Sequence, residues 1–271
     1  DQWAPTVALT VAAEVTESLK VGALVYDVDY RHPVTLAKEI ATLDLISEGR
    51  VEFGIGAGWM RTDYESSGIQ FDGPAIRIDR MLEAIKVVKG LWSGGSFSFA
   101  GEHYSISEMV GMPVPHTEKG PPIIVGGGGK RVLTAAAQAA DIVGLNASLH
   151  SGSVGPDTAL SALGDRFLER SSWVKEAAGD RFEDLEIQMN TFVATVTSST
   201  SEADEMFEGM APMFGLSAEQ ARTIPMVLAG TVNDVCEQLL NYRELYGANY
   251  WVIHENEFEA MAPVVARMTG T

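Results

Sequence analysis

The stretch Ile123–Leu133, IIVGGGGKRVL, runs from an apolar triplet through four glycines straight into residues with helical spacing. An apolar run that ends in glycine and opens at once into a helix is a strand feeding a helix, the unit from which parallel sheets are built. Each ordered glycine carries roughly 0.5–1 kcal/mol of extra conformational entropy relative to alanine, so four together need a reason. One reason is an anion. Bare backbone N–H groups at the positive end of a helix can surround a phosphate, and Lys130 and Arg131 add cations at the same place. A plain turn is the alternative. The motif has neither the Gly-Lys-Ser/Thr of a Walker loop nor a good GxGxxG fingerprint with its ribose-binding acid.

The alternation continues in both directions. Upstream, Val7–Val15 reads as a helix and Leu19–Val28 as a strand. Pro33–Ser47 is a helix with Leu36, Ile40 and Leu43 on one stripe, and Gly49 stops it. Val51–Gly56 is the next strand, and Ile76–Trp92 a helix with Ile78, Leu82, Ile85 and Val88 at helical spacing. Phe97–Val114 is an excursion of short strands and turns. Strand Pro122–Val125, helix Lys130–Ala139 and strand Asp141–Leu145 follow. Helices near Thr158–Ala178, Ser201–Phe214, Val232–Tyr246 and Glu257–Met268 are interspersed with strands Leu185–Val196 and Asn249–Ile253.

Six strands alternating with helices predict a parallel sheet with right-handed crossovers. An open doubly wound sheet accommodates six strands. A closed (β/α)8 barrel needs eight, which predicts a strand–helix–strand unit of about 30 residues missing ahead of Asp1. The barrel is preferred because the candidate chemistry lies at several strand ends around a ring rather than at one crevice.

Composition narrows the function. The chain has 271 residues, 46% hydrophobic and 21% charged, with a formal net charge of −18. Nucleic acid needs basic surface, so it is not an expected partner. Any anionic ligand must be held by local cations and backbone amides against the overall field. No apolar run reaches about 18 residues, so no membrane span is expected. The opening residues lack the basic and apolar regions of a signal peptide. Cys236 is the single cysteine, which excludes an internal disulfide and points to a reducing cytoplasm.

In the strand VEFGIGAGW, Val51–Trp59, alternation puts Gly54, Gly56 and Gly58 on one face and Phe53, Ile55 and Ala57 on the other. Three bare positions near the carboxyl end of a strand predict ligand space there. A glycine bend easing sheet curvature is the other reading.

The segments LKVGALVYDVDYRHPVTLAKEIATLDLISEGRVEFGIGAGWMRTDYESSGI, PPIIVGGGGKRVL, ADIVGLN and APVVARMTG, in this order and spacing, resemble the luciferase-like flavin and deazaflavin oxidoreductases. The similarity is greatest to the actinobacterial branch that uses coenzyme F420. The resemblance runs essentially from Ala4 to the end and implies one TIM-barrel domain over residues 1–271, with its excursion at about 93–120. The family's first strand, first helix and second strand have no counterpart here. The resemblance further implies a non-proline cis peptide at Leu24–Val25 beneath the cofactor ring. The ring would lie over Gly56, Ala57 and Gly58, and the phosphate at Gly127, Gly128 and Gly129, with Asn146 near the next strand end.

Two departures from the family matter. Many members carry Asp-His at the end of the second strand. No such pair occurs here, and Asp1-Gln2 aligns better with the start of the next helix, so a ring-contacting histidine is expected outside this sequence. The sugar-phosphate dehydrogenase branch has a glutamate where this chain has Trp59. Trp59 cannot act as an acid, so it is a candidate wall for an apolar or planar substrate, or packing for the excursion.

Five histidines, His32, His103, His116, His150 and His254, show no metal-ligand spacing. His32 precedes Pro33 and is expected to cap that helix. His254 follows the last strand directly, a position where barrel residues act, and is the one catalytic candidate; loop exposure is its alternative. Arg77 and Arg80 read as a solvated helix face, although with Arg31 and Arg61 they lie after strands where a basic track for a charged cofactor tail would form. The expected activity is hydride transfer between F420 and a small organic substrate. An FMN-dependent monooxygenase using reduced flavin and oxygen, and a flavin-binding barrel without turnover, are the alternatives. A homodimer and a separate cofactor reductase remain open as partners.

Overall fold

The computed structural model describes residues 3–149, 152 and 155–270; Asp1, Gln2 and His150 lie outside the described residues. The chain forms two compact units, Asp1–Val125 with Ala139–Ile142, and Gly126–Gln138 with Val143–Thr271.

The first unit opens with helix α1 (Pro5–Glu14), strand β1 (Val21–Asp27), helix α2 (Pro33–Ile46) and strand β2 (Val51–Gly56). His32 caps α2 as expected: its Nδ1 accepts the Val34 N–H at 3.3 Å. Leu36, Ile40 and Leu43 are buried, and Gly49 beyond the helix has φ +87°. Strand β2 is buried throughout, with Phe53 and Ile55 at 0% exposure. Phe53 packs edge-on against Trp92, ring centroids 5.7 Å apart. Helix α3 (Arg61–Ser67) and helix α4 (Pro74–Trp92) follow. Proline at its first turn lets α4 start before Ile76. Trp92 Nε1 donates to the Ala37 carbonyl at 2.9 Å, tying α4 to α2.

The excursion is an antiparallel hairpin, β3 (Ser96–Ala100) and β4 (Ser105–Val110). Phe97 lies on the bare backbone of Gly90, where a Cβ would stand 2.1 Å from the ring. The Glu83 carboxylate accepts the N–H groups of Glu102, His103 and Tyr104 at 2.7, 2.8 and 3.1 Å. Burial opposes ionisation of Glu83, but these donors hold it below the ordinary carboxylate range.

Strand β5 (Ile123–Gly127) pairs in parallel with β2, Phe53 opposite Ile123. Then come α5 (Lys130–Ala139), β6 (Ile142–Leu145), α6 (Pro156–Ser161), α7 (Gly164–Ala178), β7 (Glu186–Asn190) and β8 (Val193–Val196). The chain continues through α8 (Thr200–Met210), α9 (Ala218–Arg222), β9 (Val227–Gly230), α10 (Val232–Tyr246), β10 (Ala248–Val252) and α11 (Phe258–Met268). Six strands form one sheet in the order β1-β2-β5-β6-β7-β10, matching the six expected.

The second unit departs from the sequence reading in two places. The expected strand Leu185–Val196 breaks at Thr191–Phe192 into β7 and β8. Here β8 leaves the main sheet and pairs in parallel with β9, Val193 opposite Val227, and β9 was not expected at all. The helices expected near Thr158–Ala178 are α6 and α7, separated at Ala162–Leu163.

Candidate functional site

In the first unit the site begins at the β1–β2 ladder. The two strands run in register from Val21↔Val51 to Ala23↔Phe53, then shift so that Tyr26 faces Ile55. The shift accommodates Leu24 and Val25, and the peptide between them is cis, as the resemblance implied. Both side chains are exposed, Leu24 at 48% and Val25 at 41%. Two neighbouring aliphatic side chains exposed on a strand make an apolar platform.

The three alternating glycines of β2 and its extension do not leave the open space expected of them. A Cβ on Gly56 would stand 2.6 Å from Val25 Cγ2, and one on Gly54 would stand 2.2 Å from the Ala23 carbonyl oxygen. Gly54 and Gly56 are bare so that the β1 bulge can lie against them. Gly58, at φ +65°, would place a Cβ 1.8 Å from the Tyr64 hydroxyl and 2.4 Å from Asp27 Oδ2. The ligand space expected over these glycines is filled by the chain itself: the Ala23 carbonyl, Val25, Tyr64 and Asp27.

Those side chains belong to a closed polar cluster at the carboxyl end of β1. Tyr64, 1% exposed, places its hydroxyl 2.8 Å from Asp27 Oδ2 and 2.9 Å from Asp29 Oδ2, so one proton serves both. Burial, then the two carboxylates, push the Tyr64 hydroxyl far above its ordinary value. Burial also raises the Asp27 carboxyl, against the opposing Asp29 N–H and Tyr64 hydroxyl bonds. Arg80 pairs with Asp29 at 2.5 Å and with Asp72. Arg77, 7% exposed, donates to the carbonyls of Ala57 at 2.8 Å, of Asp72 at 2.9 Å, and of Gly58.

Arg77 is therefore a buried brace and Arg80 a half-buried one paired with two carboxylates, which corrects their reading as a solvated face. Arg31 pairs with Glu39 at 3.2 Å, and Arg61 lies over the Phe71 ring at 4.7 Å. The four arginines do not make an unpaired basic track. Trp59 is 37% exposed just beyond β2.

In the second unit the glycine loop joins β5 to α5. Gly127 and Gly128 are bare for packing: a Cβ would stand 2.4 Å from Val132 Cγ1 and 2.4 Å from the Ala147 carbonyl oxygen, respectively. At Gly129 a Cβ would meet nothing within 4 Å. The Asn146 N–H donates to the Gly127 carbonyl at 3.1 Å. The Leu133 N–H donates to the Gly129 carbonyl at 3.1 Å, opening α5.

The buried cation behind this loop is one that the sequence reading passed over. Arg170 of α7 is 5% exposed. Its Nε donates to the Gly128 carbonyl at 2.9 Å and its Nη1 to the Ser161 carbonyl at 2.6 Å. Burial pulls its pKa below the usual arginine value. Lys130 and Arg131 are both exposed, and Lys130 Nζ lies 5.9 Å from the Trp173 ring centroid.

His254, the catalytic candidate, is exposed and anchored. Its Nε2 is 2.8 Å from the Thr191 carbonyl. A carbonyl only accepts, so Nε2 carries the proton. Its backbone N–H donates to Glu257 Oε2 at 3.0 Å, while Glu257 Oε1 accepts the Ala194 N–H at 2.8 Å. Glu257, buried and not foreseen, clamps the break between β7 and β8. The three-residue spacing from His254 is a capping-box signal. Among the described residues no three His, Cys, Asp or Glu side chains could hold a metal ion, and no helix is long and apolar enough to cross a membrane.

The first unit carries the exposed Leu24–Val25 pair, and the second carries the glycine loop, with open space at Gly129 and a buried guanidinium behind it. Comparison with known proteins agrees on the lineage. The chain is 30% identical over 140 residues to the F420-dependent glucose-6-phosphate dehydrogenase of Amycolatopsis mediterranei, covering 51% of this chain and 40% of that protein. It is 29% identical over 126 residues to the FMNH(2)-dependent dimethylsulfone monooxygenase of Pseudomonas putida, covering 46% of this chain and 34% of that one. These matches span about two fifths or less of either relative. In fold, the coenzyme F420-dependent tetrahydromethanopterin reductase of Methanopyrus kandleri superposes with a TM-score of 0.75 at 18% identity, over 97% of this chain and 86% of that one. The architecture is that of the luciferase-like TIM barrels. The model of the luciferase-like monooxygenase family matches residues 2–249, and the chain belongs to that family.

Proposed function

We propose that this chain is a coenzyme F420-dependent oxidoreductase acting on a small organic substrate. The observation that carries the reading is the Leu24–Val25 bulge of β1, where two successive aliphatic side chains are exposed beside the buried strand β2. Leu24 and Val25 would bear one face of the ring. The amides around Gly129 and the start of α5, with the Arg170 guanidinium behind the loop, would hold the phosphate, and Asn146 braces the loop through its backbone bond to Gly127. The bound cofactor supplies hydride chemistry at its ring. The chain's contribution is orientation and exclusion of water.

Trp59 favours an apolar or planar substrate. The glutamate of the sugar-phosphate dehydrogenases is absent at that position, so their substrate is not proposed for this chain. His254 has one ring nitrogen engaged by a backbone carbonyl, and a positioning role fits it better than proton transfer.

A second reading, an FMN-dependent monooxygenase, is supported by the similarity to the dimethylsulfone enzyme. Titration of the purified protein with F420 and with FMN, followed by absorbance and calorimetry, separates the two. Tighter binding of F420 is expected. Submicromolar FMN binding with no detectable F420 binding would replace the first reading by the second.

A further inference from the structure

Gln188 lies in the middle of β7 and is 1% exposed. Its strand neighbours Ile187 and Met189, 2% and 0% exposed, point to the opposite face. Its side-chain Oε1 lies 2.8 Å from where a Cβ on Gly144 would stand. Its Nε2 is buried and has no hydrogen-bond partner among the described residues.

The surroundings of that amide are built for contact. Gly144 of β6 and Gly126 of β5 approach each other without side chains: a Cβ on Gly126 would stand 3.3 Å from Gly144 Cα and 3.1 Å from Asn146 Nδ2. Asn190, two residues beyond Gln188, shares its face of β7. Two adjacent strands are thus bare and flanked by three carboxamides, none of which carries charge.

A buried N–H without an acceptor is costly, and native interiors rarely keep one. We infer that Gln188 Nε2–H donates to a neutral carbonyl oxygen of the bound ligand. The neutral donor set matches a ketone, amide or imide and not a carboxylate or phosphate. The inference rests on the oxidoreductase reading above. Two sources supply such an oxygen: the carbonyl edge of the cofactor ring, or a carbonyl substrate bound beside it.

Gln238 is the matched control. It is half-buried, and its Oε1 is buried without a hydrogen-bond partner among the described residues, but its Nε2 donates to the Ala229 carbonyl at 2.8 Å. The experiment compares wild type, Gln188→Met and Gln238→Met. It measures apo melting temperature, F420 and FMN affinity by fluorescence titration, and the response of the cofactor complex to acetone and acetamide.

Gln188→Met removes an unpaired donor, so its apo melting temperature is expected to hold or rise. Gln238→Met breaks a made bond and is expected to melt lower with cofactor affinity unchanged. A loss of about tenfold in affinity for both cofactors in Gln188→Met, the size of one hydrogen bond, assigns the carbonyl to the ring. Unchanged cofactor affinity with a lost response to acetone and acetamide assigns it to the substrate. A lower apo melting temperature for Gln188→Met, or no change in any binding measurement, overturns the inference. Wild-type protein that binds neither cofactor overturns the oxidoreductase reading instead, and the apo melting temperatures still decide whether the Gln188 amide is unpaired.

Discussion

The polar cluster at the end of β1 and the glycine loop at the end of β5 use the same materials to opposite ends. Around Tyr64 every named charge has an opposite charge or a carbonyl within the cluster: Arg80 pairs with Asp29 and Asp72, and Arg77 bonds three backbone oxygens. Around the glycine loop, Arg170 is equally buried, but among the described residues its hydrogen bonds go to the neutral carbonyls of Gly128 and Ser161, and its guanidinium lies 5.2 Å from the Phe167 ring centroid. A buried ion without a counter-ion is unfavourable unless something supplies one. The first arrangement is self-contained architecture; the second holds a positive charge ready beside bare backbone. Burial and charge alone do not distinguish a site from a brace, whereas the identity of the partners does.

The contrast breaks most visibly at Arg170. Arg170→Met keeps the side-chain stem but leaves two carbonyls without a charged donor, and a stability loss of about 3 kcal/mol is expected. Urea denaturation with and without saturating cofactor should show that the cofactor's stabilising effect disappears in the variant. An equal increment in variant and wild type would mean that Arg170 is a brace like Arg77. Tyr64→Phe comes next. Asp27 and Asp29 lose their shared donor, and about 2 kcal/mol of stability should go while cofactor affinity stays as in wild type. A fall in affinity would make the β1 cluster part of the binding surface and erase the contrast.

The smallest effect sharpens the comparison within the loop itself. Gly128→Ala pushes a methyl group into the Ala147 carbonyl and should cost about 1–2 kcal/mol. Gly129→Ala meets open space and should cost less than about 0.5 kcal/mol, yet it should weaken cofactor binding severalfold by crowding the phosphate's approach. Thermal melts paired with fluorescence titrations read both quantities. Normal cofactor binding by Gly129→Ala would move the phosphate away from this loop.

Local pattern made much of this legible in the sequence. Strand and helix alternation, the Gly49 stop and the His32 cap depend on residues a few positions apart, and the structure places them where the spacing put them. The resemblance placed the cis peptide at Leu24–Val25. The failures share a cause, which is sequence distance. Arg170 is 42 residues from the carbonyl of Gly128 that gives it meaning, and on its own helix it reads as another surface cation. The break between β7 and β8 depends on Glu257, 63 residues from Ala194, so the intervening strand looked continuous. The glycines of VEFGIGAGW announced a close approach without revealing that Val25 and Tyr64 would be the groups approaching.

Two of the contacts that hold the β3–β4 hairpin are the Glu83 carboxylate gathering three successive amides and the Phe97 ring lying on Gly90. Both anchors depend little on what lies between them: one needs only backbone, the other only a flat ring. Most side chains of β3 and β4 are then at liberty to change without disturbing the sheet beneath. The hairpin is thus a place where outward-facing side chains can change at little cost to the strands it is anchored beside.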